Sequence, residues 1–143
     1  MNKEKWMTKI FDLKCDYEFE EAEKLKLKGI KNGLKMTPKE EWILDITSMA
    51  WKGEFKNADK LLKKGLKKGV KLTKNDASDI ISSCGPDIRY SFVNQLIKMG
   101  GKFLYNIHHY DYAKYIINDK PNVDNDMLKG AKLVVKYYDE NYQ

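Results

Sequence analysis

Apolar residues recur along most of the chain at intervals of three and four, and they do so in pairs of short helical stretches. From Thr37 onward, Trp42, Ile46, Met49 and Ala50 fall on one helical face, while Leu44 and Trp51 fall on another. Thr37 suits an N-cap, Pro38 the first helical position, and Glu40 the far side of a capping box. Lys52-Gly53-Glu54 reads as a turn. The stretch after it carries Phe55, Ala58, Leu61, Leu62 and Leu66 on one stripe, opposite Lys56, Lys60, Lys63, Lys64 and Lys67. Gly69 stands where a left-handed C-cap would end that helix. A first helix that is apolar on two sides is what a stacked array requires. No stretch alternates with the period of a strand over a useful length.

The pattern repeats. Residues 6–37 lie over residues 42–73 at an offset of 36 without a gap, and 13 of 32 positions are identical. The pairs include Trp6/Trp42, Ile10/Ile46, Glu18/Glu54, Ala22/Ala58, Leu25/Leu61, Gly29/Gly65, Gly33/Gly69 and Thr37/Thr73. Cys15 falls over Trp51, which reads as a packing position. A third copy, 77–103, follows at an offset of 35, with Ile81 over Ile46, Ser83 over Ser48, Leu96 over Leu61 and Gly100 over Gly65. A weaker fourth unit starts near Tyr105, and its segment 112–124 reads as the second half of a repeat. Residues 125–142 read as a closing helix, since terminal units of arrays are often atypical. The expected fold is therefore all-α: a short α-solenoid of three to four helix-turn-helix repeats with a C-terminal capping helix. The units span about 3–37, 38–73, 74–106 and 107–143 within one domain of 143 residues.

Charge then narrows the partners. Lys plus Arg is 27 against 21 acids, a net charge of +6, and Arg89 is the only arginine. Lysines attract phosphates and acidic proteins alike. Base readout and bidentate phosphate clamps favour arginine, so a sequence-reading nucleic-acid binder is disfavoured. No apolar run reaches the roughly 18 residues of a membrane helix. The N-terminal segment lacks a signal-peptide core, so a cytoplasmic protein is expected. Two cysteines, Cys15 and Cys84, are too few for a disulfide framework or a four-ligand zinc site.

The run from Thr47 to Thr73 resembles a pentatricopeptide repeat in its period, Gly turn, second-helix Ala and closing Gly. Trp42 and Ala58 also fit the related tetratricopeptide pattern, and 96–106 with 115–124 resembles the second half of ankyrin repeats, although the ankyrin TPLH signature is absent. The pentatricopeptide resemblance implies binding of single-stranded RNA, with base-reading positions on Thr8 with Pro38 and on Leu44 with Lys74. Leu44, Pro38 and Lys74 depart from the residue types that family uses there. The tetratricopeptide and ankyrin resemblances imply protein binding instead.

His108 and His109, the only histidines, are adjacent and so cannot share a helical face. Neither cysteine has an activating neighbour in the sequence, and no phosphate-loop, dinucleotide, zinc-protease or hydrolase motif occurs. No enzyme activity, cofactor or metal is expected. The cluster Tyr105, His108, His109, Tyr110, Tyr112 and Tyr115 reads first as packing of the last hairpin against the closing helix. It could otherwise contact a protein or stack bases. Lysines of the second helices would join into a basic stripe. The expected function is a non-enzymatic interaction module that occupies the surface of a protein partner with an acidic patch or a bound nucleic acid. Size and style alone suggest a phage or mobile-element inhibitor of a host enzyme. The alternative is an RNA or single-stranded nucleic-acid binder. Candidate contact residues are Thr8, Leu44, Lys74, Arg89, Tyr105, His108, His109 and Tyr110. If the lysines converge beside exposed aromatics on the concave surface, the nucleic-acid reading gains; if they lie on the outer helices, the protein reading gains.

Overall fold

The computed structural model describes residues 1–83, 90–98, 107–120 and 122–142, and every regular element among them is an α-helix. In chain order these are α1 (Lys3–Cys15), α2 (Phe19–Lys31), α3 (Pro38–Trp51), α4 (Phe55–Lys67), α5 (Lys74–Ser83), α6 (Tyr90–Lys98), α7 (Ile107–Asn118) and α8 (Asn125–Tyr142). Helix α1 packs on α2, α3 on α4, and α7 on α8. Between hairpins, α1, α3 and α5 form a first-helix layer, and α4, α6 and α8 form a second-helix layer. The architecture is all-α and compatible with a helical repeat.

The first two hairpins share several contacts at a spacing of 36. Trp6 Nε1–H donates to Leu25 O at 2.9 Å, and Trp42 Nε1–H donates to Leu61 O at 3.0 Å. Each hairpin turn closes the same way, with Glu18 N–H donating to Leu13 O and Glu54 N–H to Met49 O, both at 2.9 Å. The turn needs a left-handed residue, which Gly53 supplies at φ 80° and Tyr17 at φ 61°. Gly33 and Gly69 take the left-handed position after α2 and α4, and the next residues, Leu34 and Val70, donate back to Gly29 O and Gly65 O. Lys3 pairs with Glu40 at 2.9 Å between the first and second hairpins, and Lys39 pairs with Asp76 at 3.2 Å between α3 and α5.

Two apolar clusters result. Trp6, Ile10, Ala22 and Leu44 form the smaller one between α1, α2 and α3. The larger runs from Ile46, Ala50, Ala58 and Leu62 through Ile80, Ile81, Val93 and Leu96 to Ile116, Ala131 and Val134. Fully burying one such aliphatic side chain contributes about 1.5–3 kcal/mol, so the stack is held by this continuous seam more than by its surface ion pairs, each worth about 0–1 kcal/mol.

Three expectations change. Trp51 is 64% exposed, so its alignment with half-buried Cys15 does not mark a shared packing position. It is the last residue of α3, and its neighbour Ala50 faces the seam in its place. Leu44 is only 6% exposed and packs in the Trp6 cluster, because α1 covers the second apolar face of α3. Segment 112–124 is the end of α7 and its exit, not the second half of a repeat. The second-helix layer is continued by α8, which packs on both α6 and α7.

The N-terminus of α3 is capped as the sequence predicts, and Thr73 with Asp76 repeats the arrangement ahead of α5. Thr37 and Glu40 exchange two hydrogen bonds at 3.0 and 3.1 Å, and Thr73 and Asp76 exchange two at 3.1 Å. The Thr37 backbone N–H, with Lys3, lowers the Glu40 pKa. Burial works to raise Asp76, but the Thr73 bonds and Lys39 outweigh it and the net shift is downward. A carboxyl lowered below its unfolded value of about 4 contributes stability that is complete above that value and is lost as pH falls through the folded pKa. Asp79, raised by burial and by Asp76, has the opposite sign. Urea midpoints should therefore fall on acidification below about pH 4, and Glu40→Gln should make that fall shallower. An unchanged acid limb in the variant would contradict the capping account.

Candidate partner-binding surfaces

The first-helix layer carries a groove of about 390 Å³ across α1, α3 and α5. Its floor is apolar, from Met7, Phe11, Ile43 and Leu44, and its charged rim is acidic, from Glu40, Asp76 and Asp79. Thr8 lies on this groove as an exposed residue, whereas Leu44 is part of its buried floor. Thr47 closes its own hydroxyl onto Ile43 O and Leu44 O at 3.0 Å. Three lysines of α1 and α3 are engaged by carboxylates: Lys3 with Glu40, Lys39 with Asp76, and Lys14 with Asp45.

The second helices α2 and α4 and the connectors after them carry most of the exposed lysines of the first two hairpins. Lys24, Lys28 and Lys31 on α2 are exposed, as are Lys56, Lys60, Lys63, Lys64 and Lys67 on α4 and Lys68 and Lys71 after it. Where α4 ends beside the start of α3, a pocket of about 600 Å³ opens. Trp42, Leu61, Val70 and Pro38 form its apolar lining, and Lys39, Lys64, Lys68 and Lys71 line it as well. Gly65 allows the indole to lie directly on α4: a Cβ there would sit 2.2 Å from Trp42 Cζ2. A sister pocket of about 500 Å³ in the first hairpin is lined by Trp6, Leu25, Lys28, Gly29, Asn32 and Leu34, together with Met1.

No protein-family model matches this chain, and neither the curated proteins nor the solved structures gave a match. The surfaces must therefore be read from their own chemistry.

Of the residues singled out from sequence, Arg89 and Tyr105 lie outside the described residues, as do Cys84 and Gly100, and so do the side chains of Lys74, His108 and His109. Thr8 and Leu44 meet in the groove. Tyr110 is elsewhere and faces α8. Its ring stacks on Tyr138 at 4.2 Å between centroids, and its hydroxyl donates to Asp139 Oδ1 at 2.9 Å, which raises the phenol pKa. Lys114 Nζ sits 4.4 Å from the same ring centroid. Tyr112 accepts from Lys120 Nζ at 3.3 Å. Tyr110 thus ties α7 to α8, in line with the packing reading.

Sequence reasoning misses two features. One is the Trp42 pocket, whose lysines come from three separate segments; its signal is the duplicated Trp–Gly pair. The other lies at the hairpin-turn edge. Lys52 has a side chain only 5% exposed, with Nζ 3.2 Å from Glu54 Oε2 and 4.6 and 4.7 Å from the ring centroids of Tyr17 and Phe19. The first turn thus clasps the second through a cation between two aromatic rings. Burial raises the pKa of nearby Cys15 and Lys52 opposes that, with the net shift upward, so the thiol stays protonated near neutrality.

Proposed function

We propose that this chain is a non-enzymatic protein-recognition module that acts by occupying a partner's surface. The observation that carries this reading is the charge on the first-helix layer. The groove at the positions where a pentatricopeptide array would read bases has an apolar floor and an acidic rim of Glu40, Asp76 and Asp79. Glu40 and Asp76 are already paired with Lys3 and Lys39, and no lysine lines the groove among the described residues, so a phosphate backbone finds no cation there, and Leu44 offers a buried carbon surface in place of a hydrogen-bonding edge. Most exposed lysines of the first two hairpins lie on the second helices and the connectors after them, and they suit a protein partner with an acidic patch. Among the resembled families, the tetratricopeptide and ankyrin types fit these surfaces better than the RNA-reading type.

The test is affinity purification of the tagged chain from its native host lysate, with and without nuclease. Discrete protein bands that survive nuclease are expected. Recovery of nucleic acid alone, weakening steeply with salt, would overturn the reading.

A further inference from the structure

The structure assigns a specific recognition task to the Trp42 pocket. We propose that it anchors an acidic segment of a partner protein, taking one aromatic or aliphatic side chain onto Trp42 while flanking carboxylates pair with Lys64, Lys68 and Lys71. This rests on the protein-binding reading and names the site and chemistry through which it works.

Three observations lead there. The first is unbalanced charge. Lys39 is neutralised by Asp76 at 3.2 Å, but no carboxylate of the described residues lies within ion-pairing distance of Lys64, Lys68 or Lys71. Like charges gathered on one rim repel, and an anionic segment relieves that repulsion as it binds. The second is the floor. Trp42 has already given its N–H to Leu61 O, so the indole offers carbon only, beside Leu61, Val70 and Pro38. A Phe or Leu side chain would leave nothing unsatisfied on such a floor. The third is the internal comparison. The sister pocket has the same tryptophan seated on the same glycine, but Trp6 is 1% exposed whereas Trp42 is half-buried, and Asn32 stands where the second copy has Lys68. At the third copy's offset of 35, Ala77 replaces the tryptophan. Only the second hairpin combines an accessible ring with a full cationic rim among the described residues.

The experiment is selection of a random peptide display library on the immobilised full chain. Enriched peptides are then titrated by fluorescence anisotropy against the wild type, Lys68→Glu/Lys71→Glu and, as a control, Lys56→Glu/Lys60→Glu, with a labelled oligo-dT strand run alongside. The substituted lysines are exposed, and circular dichroism verifies that the variants fold. Enriched peptides should cluster Asp and Glu around one aromatic or aliphatic residue. Affinity should fall about tenfold or more in Lys68→Glu/Lys71→Glu, about 1.4 kcal/mol, and likewise when the peptide's apolar residue becomes Ser. The control variant should bind within about twofold of the wild type. Neutral or basic consensus peptides, no enrichment, or equal loss in the control variant would overturn the assignment. So would oligo-dT binding that depends on Lys68 and Lys71 more strongly than peptide binding does. If a protein partner recovered from lysate still binds Lys68→Glu/Lys71→Glu undiminished, the pocket assignment fails while the protein-binding reading stands.

Discussion

Gly29→Ala should be strongly destabilising, although alanine is the better helix former. Helix propensity alone favours alanine by about 1 kcal/mol. Against this, the new Cβ would lie 2.2 Å from Trp6 Nε1 and 2.3 Å from Cε2. The indole would have to move, yet it is buried and held by its bond to Leu25 O. Overpacking of this kind costs about 1–3 kcal/mol, occasionally more, and losing the N–H bond adds about 1 kcal/mol. A net loss of about 2 kcal/mol or more is expected in urea denaturation. The equivalent Gly65→Ala should cost less, because Trp42 borders an open pocket into which its ring can shift. In a Trp6→Leu background the sign should reverse, with Gly29→Ala neutral or stabilising. A destabilisation that persists without the tryptophan would show that the glycine is needed for some other reason.

Lys52→Ala should produce the other large effect. The lysine is buried at the hairpin-turn edge, and no hydrogen bond reaches the buried Glu54 Oε2 that it balances. Its removal strands a carboxylate and opens a gap beneath Tyr17 and Phe19. Breaking a fully buried pair costs about 3–5 kcal/mol; Glu54 is partly exposed, so about 1–3 kcal/mol is expected here. Lys52→Met with Glu54→Gln should recover most of the loss, since neither charge is then left alone. Thermal unfolding of the single and double variants decides it. Equal destabilisation by both would mean that packing, not charge, holds the two turns together.

Features governed by near neighbours along the chain are legible in the amino-acid sequence itself. The Thr37–Glu40 box, the left-handed Gly53 and Gly69, and the Ala58–Leu62 stripe all follow from local spacing, and the duplication makes most of them visible twice. The features that escape depend on what another hairpin brings. Leu44 stands on the second apolar face of α3, but its cover by Trp6 and Ile10 is visible only once α1 is in place. Trp51 and Cys15 occupy the same place in their repeats, but burial follows the neighbouring helix rather than the alignment. Lys52 reads as an ordinary turn lysine because the rings that bury it lie more than thirty residues earlier. The Trp42 pocket is half legible: the Trp–Gly pair stands out in the alignment and Lys64, Lys68 and Lys71 are neighbours along the chain, but their meeting with Pro38 and Lys39 is set by tertiary folding.

The second hairpin presents Glu40 to the Lys3 of its predecessor and Lys39 to the Asp76 of its successor. Its two sides are therefore mutually complementary: whatever follows it can also be a copy of itself. Gene slippage that reinserts residues 38–73 would lengthen the stack by one unit while keeping the lysine–carboxylate joint of the Lys3–Glu40 and Lys39–Asp76 kind on either side. Length is then a quantity that recombination can adjust in steps of 36 residues, at the spacing already recorded between Trp6 and Trp42.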